Sequence, residues 1–254
     1  MTAMANPTTE PAWKRSGLWR ILRRTRGAVR KRVRRTTTSI RAAVAPPRPR
    51  HAEPFTTHLP ILAALAVHRP VRRVVEYGSG LISTPAFLDR TLFPDLEQIV
   101  SYENDAAWSH KVAEAIDDER LHLRTVRDAV ADAVVAAETA AADLIFIDDS
   151  VSEPERAATI RAALATLAAT DPAAAPVVVI HDFETAGYRD AAATRPRGWT
   201  ATEFDAFLPH TGLVCSGEAA AALPLTAIAR TLKRNTATRP SDTAAWRTLH
   251  ASAR

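Results

Sequence analysis

Five short apolar runs, each leading into an acid, are spaced along residues 71–182 with helix-length segments between them. Val74-Val75 precede Glu76, Ile99 to Tyr102 precede Glu103, and Leu121 to Val126 precede Asp128. Leu144 to Ile147 precede Asp148, and Val177 to Ile180 precede His181-Asp182. The last two runs are continuously apolar, the mark of strands buried on both faces of a parallel sheet. Phe87–Leu92, Trp108–Ile116, Ala129–Ala141 and Glu155–Ala169 read as the intervening helices, with Arg156 and Arg161 on a polar side. The alternation predicts an α/β chain with a doubly wound, mostly parallel sheet. Ligands of such sheets lie beyond the carboxyl ends of the strands. One acid after a strand is a common helix cap. Five at equivalent positions predict a rim of carboxylates around one site.

The first strand and its turn carry the sharpest signal. Val71 to Thr84 reads VRRVVEYGSGLIST and holds two of the eight glycines of the chain, Gly78 and Gly80. Thr84 is placed to cap a helix whose first position is Pro85. A strand, a glycine turn and a helix start form a cradle, because glycine admits close backbone approach and the free N–H groups favour polar ligands.

Charge divides the chain. Residues 1–50 hold fourteen Lys/Arg and one acid, for +13, and the rest hold nineteen and twenty-seven, for −8. The sum is the net +5. The acidic body is therefore not expected to bind nucleic acid over a broad face, and any polyanion contact falls to the arm. Within residues 13–44, Leu18, Ile21, Leu22, Val29, Val33 and Ile40 share a helical stripe. This segment reads as a peripheral membrane contact, an RNA contact or a solvated tail. Pro46-Pro47-Arg48-Pro49 ends it. The expected domains are a basic arm over 1–50, an α/β domain over 51–218 and a C-terminal helix and tail over 219–254. In the α/β domain Leu59–Val67 reads as a helix, Arg189–Trp199 as a loop, and Phe204–Phe207 with Gly212–Cys215 as an antiparallel hairpin. The single Cys215 excludes an internal disulfide framework and fits a reducing cytoplasm.

The glycine turn does not complete a dinucleotide fingerprint, since Ser83 stands where the third glycine of G-x-G-x-x-G belongs. Glu76 before the turn would also repel a pyrophosphate. Residues 56–216 resemble instead the class I S-adenosylmethionine-dependent methyltransferases, which are Rossmann-like. The resemblance rests on Glu76-x-Gly78-x-Gly80, Glu103, Asp128 and ADLIFIDDS at the fourth strand. It implies that Gly78, Ser79 and Gly80 wrap the methionine part of S-adenosylmethionine. Ile82 replaces the family's frequent third glycine, and Ser83 and Thr84 would offer hydroxyls there. Glu103, with Asn104 beside it, would bind the ribose, Asp128 would lie by the adenine, and Glu76 would help hold the amino group.

Asp148 and His181-Asp182 resemble the strand ends at which metal-dependent O-methyltransferases hold Mg2+, although Phe183 follows Asp182 where that family has Asn. Three readings stay open: a Mg2+ site, a general base at His181 or Asp182 with Asp148 nearby, or loop caps. The expected activity is methyl transfer to the hydroxyl or amine of a small molecule. The alternative is a non-catalytic binding protein carried to a membrane or RNA by the arm, and a nicotinamide oxidoreductase ranks below both.

Overall fold

The computed structural model describes residues 54–127, 132–150, 152–169 and 176–253. The basic arm, with its membrane or RNA contact through 13–44, lies outside the described residues, and so does Asp128.

The core is a seven-stranded sheet: β1 Arg73–Tyr77, β2 Gln98–Glu103, β3 Leu121–Thr125, β4 Leu144–Ile147, β5 Val177–His181, β6 Trp199–Phe204 and β7 Thr211–Ser216. Its order is β3-β2-β1-β4-β5-β7-β6. The first five strands run parallel, and β7 is antiparallel to both β5 and β6. This is the Rossmann-like arrangement with a reversed C-terminal hairpin that the resemblance implies.

Period-two alternation distributes the strand side chains between two cores. Val74, Leu144, Phe146, Val177 and Val179 enter one, and Val75, Ile145, Ile147, Val178 and Ile180 enter the other. Each fully buried aliphatic side chain contributes roughly 1.5–3 kcal/mol, so covering both faces favours the parallel sheet. The first face is covered by α1 Leu59–His68 and α2 Ser83–Leu88, the second by α5 Glu153–Ala168 and α6 Ala186–Ala192. Between them in the chain come α3 Ala106–Ala115 and α4 Ala133–Ala140, whose first N–H groups are capped by Asp105 and Asp132. Residues 59–65 of α1 are buried all round, so this helix belongs to the core.

Four expectations are corrected. Helix α2 begins at Ser83 with Ile82 as its cap, so Thr84 lies inside the first turn. Arg189 falls in α6, where a loop was expected. The first hairpin strand is Trp199–Phe204, five residues earlier than expected at its start; it is the sheet edge, and its half-exposed side chains hide the strand pattern. Finally, the stretch after Ala219, expected as one short helix and a tail, is helical over most of its length. It contains α7 Gly217–Ala222, α8 Leu225–Arg234 and α9 Thr243–Ser252, and α9 packs along α1.

The anchor of this last packing is Trp246, fully buried, with its ring edge-on to Phe207 at 5.7 Å and its Nε1 donating to Arg239 O at 2.9 Å. His250, one turn on, is buried with Nε2 3.1 Å from Pro60 O. Trp246→Ala is therefore expected to lower the unfolding free energy by about 3–5 kcal/mol, measured by urea denaturation. A loss below about 1 kcal/mol, the range of surface substitutions, would show that α9 is peripheral.

Candidate functional site

Because β1, β2, β4 and β5 are parallel, their carboxyl ends share one edge of the sheet. The order reverses between β1 and β4, and there the two strand ends meet. Gly78 has φ +89, donates its N–H to Tyr102 O at 2.8 Å, and a Cβ on it would lie 2.4 Å from Asp148 O. No side chain fits, and the backbone conformation is one that favours glycine.

The turn is fastened from below. Gly80 N–H donates to Thr84 Oγ1 at 3.0 Å, and that hydroxyl donates to Glu76 Oε2 at 2.7 Å. Ser101 Oγ donates to the same oxygen at 2.6 Å, and Glu76 Oε1 is buried with no hydrogen-bond partner among the described residues. Glu76 thus lies inside β1 under the turn, not on the wall of a cavity. Ser83 and Thr84 are also buried there. From the side, Trp108 Nε1 donates to Ser79 O at 2.7 Å and ties α3 to the turn.

Glu103 ends β2 and is held from three directions. Its Oε1 accepts the N–H groups of Asn104 at 2.9 Å and Asp105 at 2.8 Å, and its Oε2 accepts from Ser79 Oγ at 3.1 Å. Two cavities meet along Gly78, Glu103, Asn104, Asp149 and Ser150. One, of about 560 Å³, extends to Val126 and Arg127 after β3. The other, of about 530 Å³, extends to Asp148, Arg156, His181 and Asp182, with Phe55 and Pro209 on its apolar side.

The far wall is a charge cluster. Arg156 Nη1 lies 3.0 Å from Asp148 Oδ1 and 2.8 Å from Asp182 Oδ2, and Arg156 Nε donates to Ser150 O at 2.9 Å. His181 Nδ1 lies 3.3 Å from Asp148 Oδ1 and 3.5 Å from Asp182 Oδ1, near enough for charge attraction, although among the described residues it is buried without a well-aligned hydrogen-bond partner. His181 Nε2 is 3.1 Å from Thr57 Oγ1. Burial alone would lower the His181 pKa, but the carboxylates of Asp148 and Asp182 reverse it and raise it. Burial would likewise raise Asp148, yet His181 and Arg156 hold it below the ordinary carboxylate range. Behind His181, the ring of His58 stands edge-on at 5.1 Å. Burial, helped by the charge of His181, pushes His58 down to about 3, so it stays neutral. Asp182 adopts φ 56, a left-handed conformation uncommon outside glycine, and its carboxylate is tied to Arg156.

No family model matches the chain, and no curated protein does. Solved structures of similar path include a methyltransferase from Geobacter sulfurreducens (15% identity, TM-score 0.44, 64% of this chain and 78% of that one). Others are the O-methyltransferase TomG from Streptomyces achromogenes in complex with SAM (19%, 0.43, 67% and 82%) and human methyltransferase-like protein 13 in complex with SAH (16%, 0.47, 72% and 93%). At these identities and TM-scores, none of them assigns an activity to this chain.

The structure brings Gly78, Ser79, Glu103, Asn104, Asp148, His181 and Asp182 to one cleft. Glu76, Gly80, Ser83 and Thr84 sit behind or beneath it. One residue of the cleft was misplaced from sequence. Arg156 is not on a polar helix face; it is 4% exposed and lies at the head of the stripe formed by Ile160, Ala163, Leu164 and Leu167. The arginine in line with those apolar positions was the available signal.

A Mg2+ ion is the group that the strand-end acids suggest. Asp148, His181 and Asp182 offer ligand atoms within 4.8 Å of one another. Two of those carboxylates, however, already share the Arg156 guanidinium. With that cation in place, the residues do not fit a divalent metal.

Glu76 generates a pH prediction. Burial pushes its carboxyl from 4.5 up to about 7, against the pull of the Ser101, Ser83 and Thr84 hydroxyls. A carboxyl raised on folding favours the folded state while protonated. Its contribution is complete below about 4.5 and is lost as pH rises through about 7. The shift corresponds to about 3 kcal/mol. His181 is also raised, so the readout is the difference between two profiles. Glu76→Gln should flatten the fall in unfolding free energy across this window by about that amount. An unchanged slope would show that Glu76 is ionised throughout in the folded state.

Proposed function

We propose that this chain is an S-adenosylmethionine-dependent methyltransferase acting on a hydroxyl or amine of a small molecule. The observation that carries the reading is the shared cleft. A side-chain-free glycine turn and an immobilised Glu103 carboxylate lie on one side of it, and a polar cluster with an aromatic neighbour lies on the other.

The residues present fit the cofactor. Gly78 leaves its backbone open to close approach, and Glu103 keeps acceptor capacity beyond its three hydrogen bonds for a pair of ribose hydroxyls. The cavity beside Val126 and Arg127 is of a size for the nucleoside base. Glu76 acts by shaping the turn through Thr84, so its part in holding the amino group is indirect. When bound, S-adenosylmethionine supplies a methyl on a sulfonium, which leaves as a neutral thioether once an acceptor lone pair takes the methyl.

The chain's own residues then align the acceptor and take its proton. The second cavity, about 530 Å³, suits a small molecule whose apolar part rests on Phe55 and Pro209. Asp148 and Asp182 have side chains 26% and 33% exposed, whereas His181 is 4% exposed. The carboxylates are therefore the groups that meet the acceptor. The proton is received at a carboxylate oxygen and passes to solvent from that part-exposed group, while the His181 imidazole behind keeps Asp148 ionised. Alignment supplies most of the rate in such a transfer.

Titration calorimetry tests the reading. The protein should bind both S-adenosylmethionine and S-adenosylhomocysteine, and Glu103→Ala should weaken both by about 1–3 kcal/mol, the loss of charge-assisted hydrogen bonds. No heat with either nucleoside, or tighter binding of NADH, would overturn it.

A further inference from the structure

The carboxylates at the ends of β4 and β5 surround a cation that the protein supplies itself. Arg156 Nη1 is shared by Asp148 Oδ1 at 3.0 Å and Asp182 Oδ2 at 2.8 Å. Arg156 Nε is 3.7 Å from Asp149 Oδ1 and donates to Ser150 O at 2.9 Å. The guanidinium carbon lies 5.3 Å from the centre of the Tyr188 ring, and the side chain is 5% exposed. A guanidinium held this way cannot swing out without leaving Asp148 and Asp182 with His181 as their one remaining cationic neighbour among the described residues, in a partly desolvated wall. A divalent ion would draw on the same two carboxylates, Asp148 and Asp182, together with His181. It would then face, across those carboxylates, a positive nitrogen that both already bind. Hard cations gain affinity from the number and charge of free oxygen ligands, and here that charge is already matched.

We propose that Arg156 is the resident cation of this centre, standing in the place of a divalent metal, and that it positions Asp148 and Asp182 along the cavity wall. The consequence for the acceptor rests on the methyl-transfer reading. A metal that gave two coordination positions to the acceptor would demand two neighbouring oxygens and acidify one of them. A guanidinium coordinates nothing, so an acceptor with a single hydroxyl or amine suffices, and its proton goes to a carboxylate oxygen and from there to solvent. Arg156 is a positioning residue that acts through the carboxylates.

The test is Mn2+ uptake by the full chain, read from the loss of the free-ion electron paramagnetic resonance signal, with no nucleoside present. The parent protein should leave the signal undiminished. Arg156→Ala and Arg156→Met should each take up one Mn2+ at least about tenfold more tightly than the parent, because the freed oxygens regain their ligand capacity. Mn2+ should also raise the melting temperature of these variants and not of the parent. Adding Asp182→Asn should abolish the uptake. Arg156→Lys, which keeps the charge, should exclude the ion as the parent does. Uptake by the parent that Asp148→Asn removes would overturn the proposal, as would folded Arg156→Ala and Arg156→Met proteins that bind no better than the parent. The parent measurement decides even where those variants fail to fold: uptake lost with Asp148→Asn refutes the proposal, and its absence supports it. Since no nucleoside takes part, this result stands whether or not S-adenosylmethionine binds.

Discussion

The ends of β1 and β4 meet at Gly78, where a Cβ would collide with the backbone of Asp148. The contact lies at the reversal of strand order, from which the connections diverge to opposite sides of the sheet. That divergence opens the cleft. The turn after Gly78 and the loop after Asp148 therefore face one another across a short gap, and each places its next polar residue at the rim. Glu103 comes in on the neighbouring strand and is fastened to the turn by Ser79. His181 and Asp182 come in from β5 on the other side. The grouping of these residues follows from the parallel sheet, and their distances from one another follow from the tightness of the Gly78 contact.

Concentrating carboxylates at a partly buried edge raises their desolvation cost, and the chain offsets it in two ways. Glu76, wholly buried and hydrogen-bonded by hydroxyls alone, shifts toward its neutral form. Asp148 remains ionised because His181 and Arg156 stand beside it. Arg156 suits this role because its planar group offers Nη1 to two carboxylates and Nε to a carbonyl in fixed directions. The same guanidinium that lets the acids gather also occupies the oxygens on which a metal would depend.

Much of this was legible in the sequence, and what was not has physical causes. Strands β4 and β5 are buried on both faces, so an unbroken apolar run marks each, and the acids following the runs mark the rim. Edge strand β6 is half solvated and carries Thr200, Thr202 and Glu203, so no apolar pattern marks it. Helix α9 carries few apolar residues; its burial depends on Trp246 and on a distant partner, α1, which local sequence does not reveal. Arg156 was assigned to solvent because a charge ordinarily belongs there. Its burial depends on Asp148, Asp149 and Asp182, two of them on the preceding loop and one just past the end of β5. Thr84 resembles a helix cap by spacing, but its hydroxyl is used by Glu76, an interaction that exists only once β1 and α2 are packed together.

On the proposed function, the cleft between Gly78 and Glu103 receives a nucleoside while the Asp148–Asp182 wall receives the acceptor. A crystal structure of the full chain grown with S-adenosylhomocysteine tests it most directly. The account predicts density for the nucleoside against the Gly78 turn, with its ribose hydroxyls on the Glu103 carboxylate and Arg156 still bridging Asp148 and Asp182. Density for the nucleoside elsewhere on the molecule, or a nucleoside that displaces Arg156 from the two carboxylates, would contradict it.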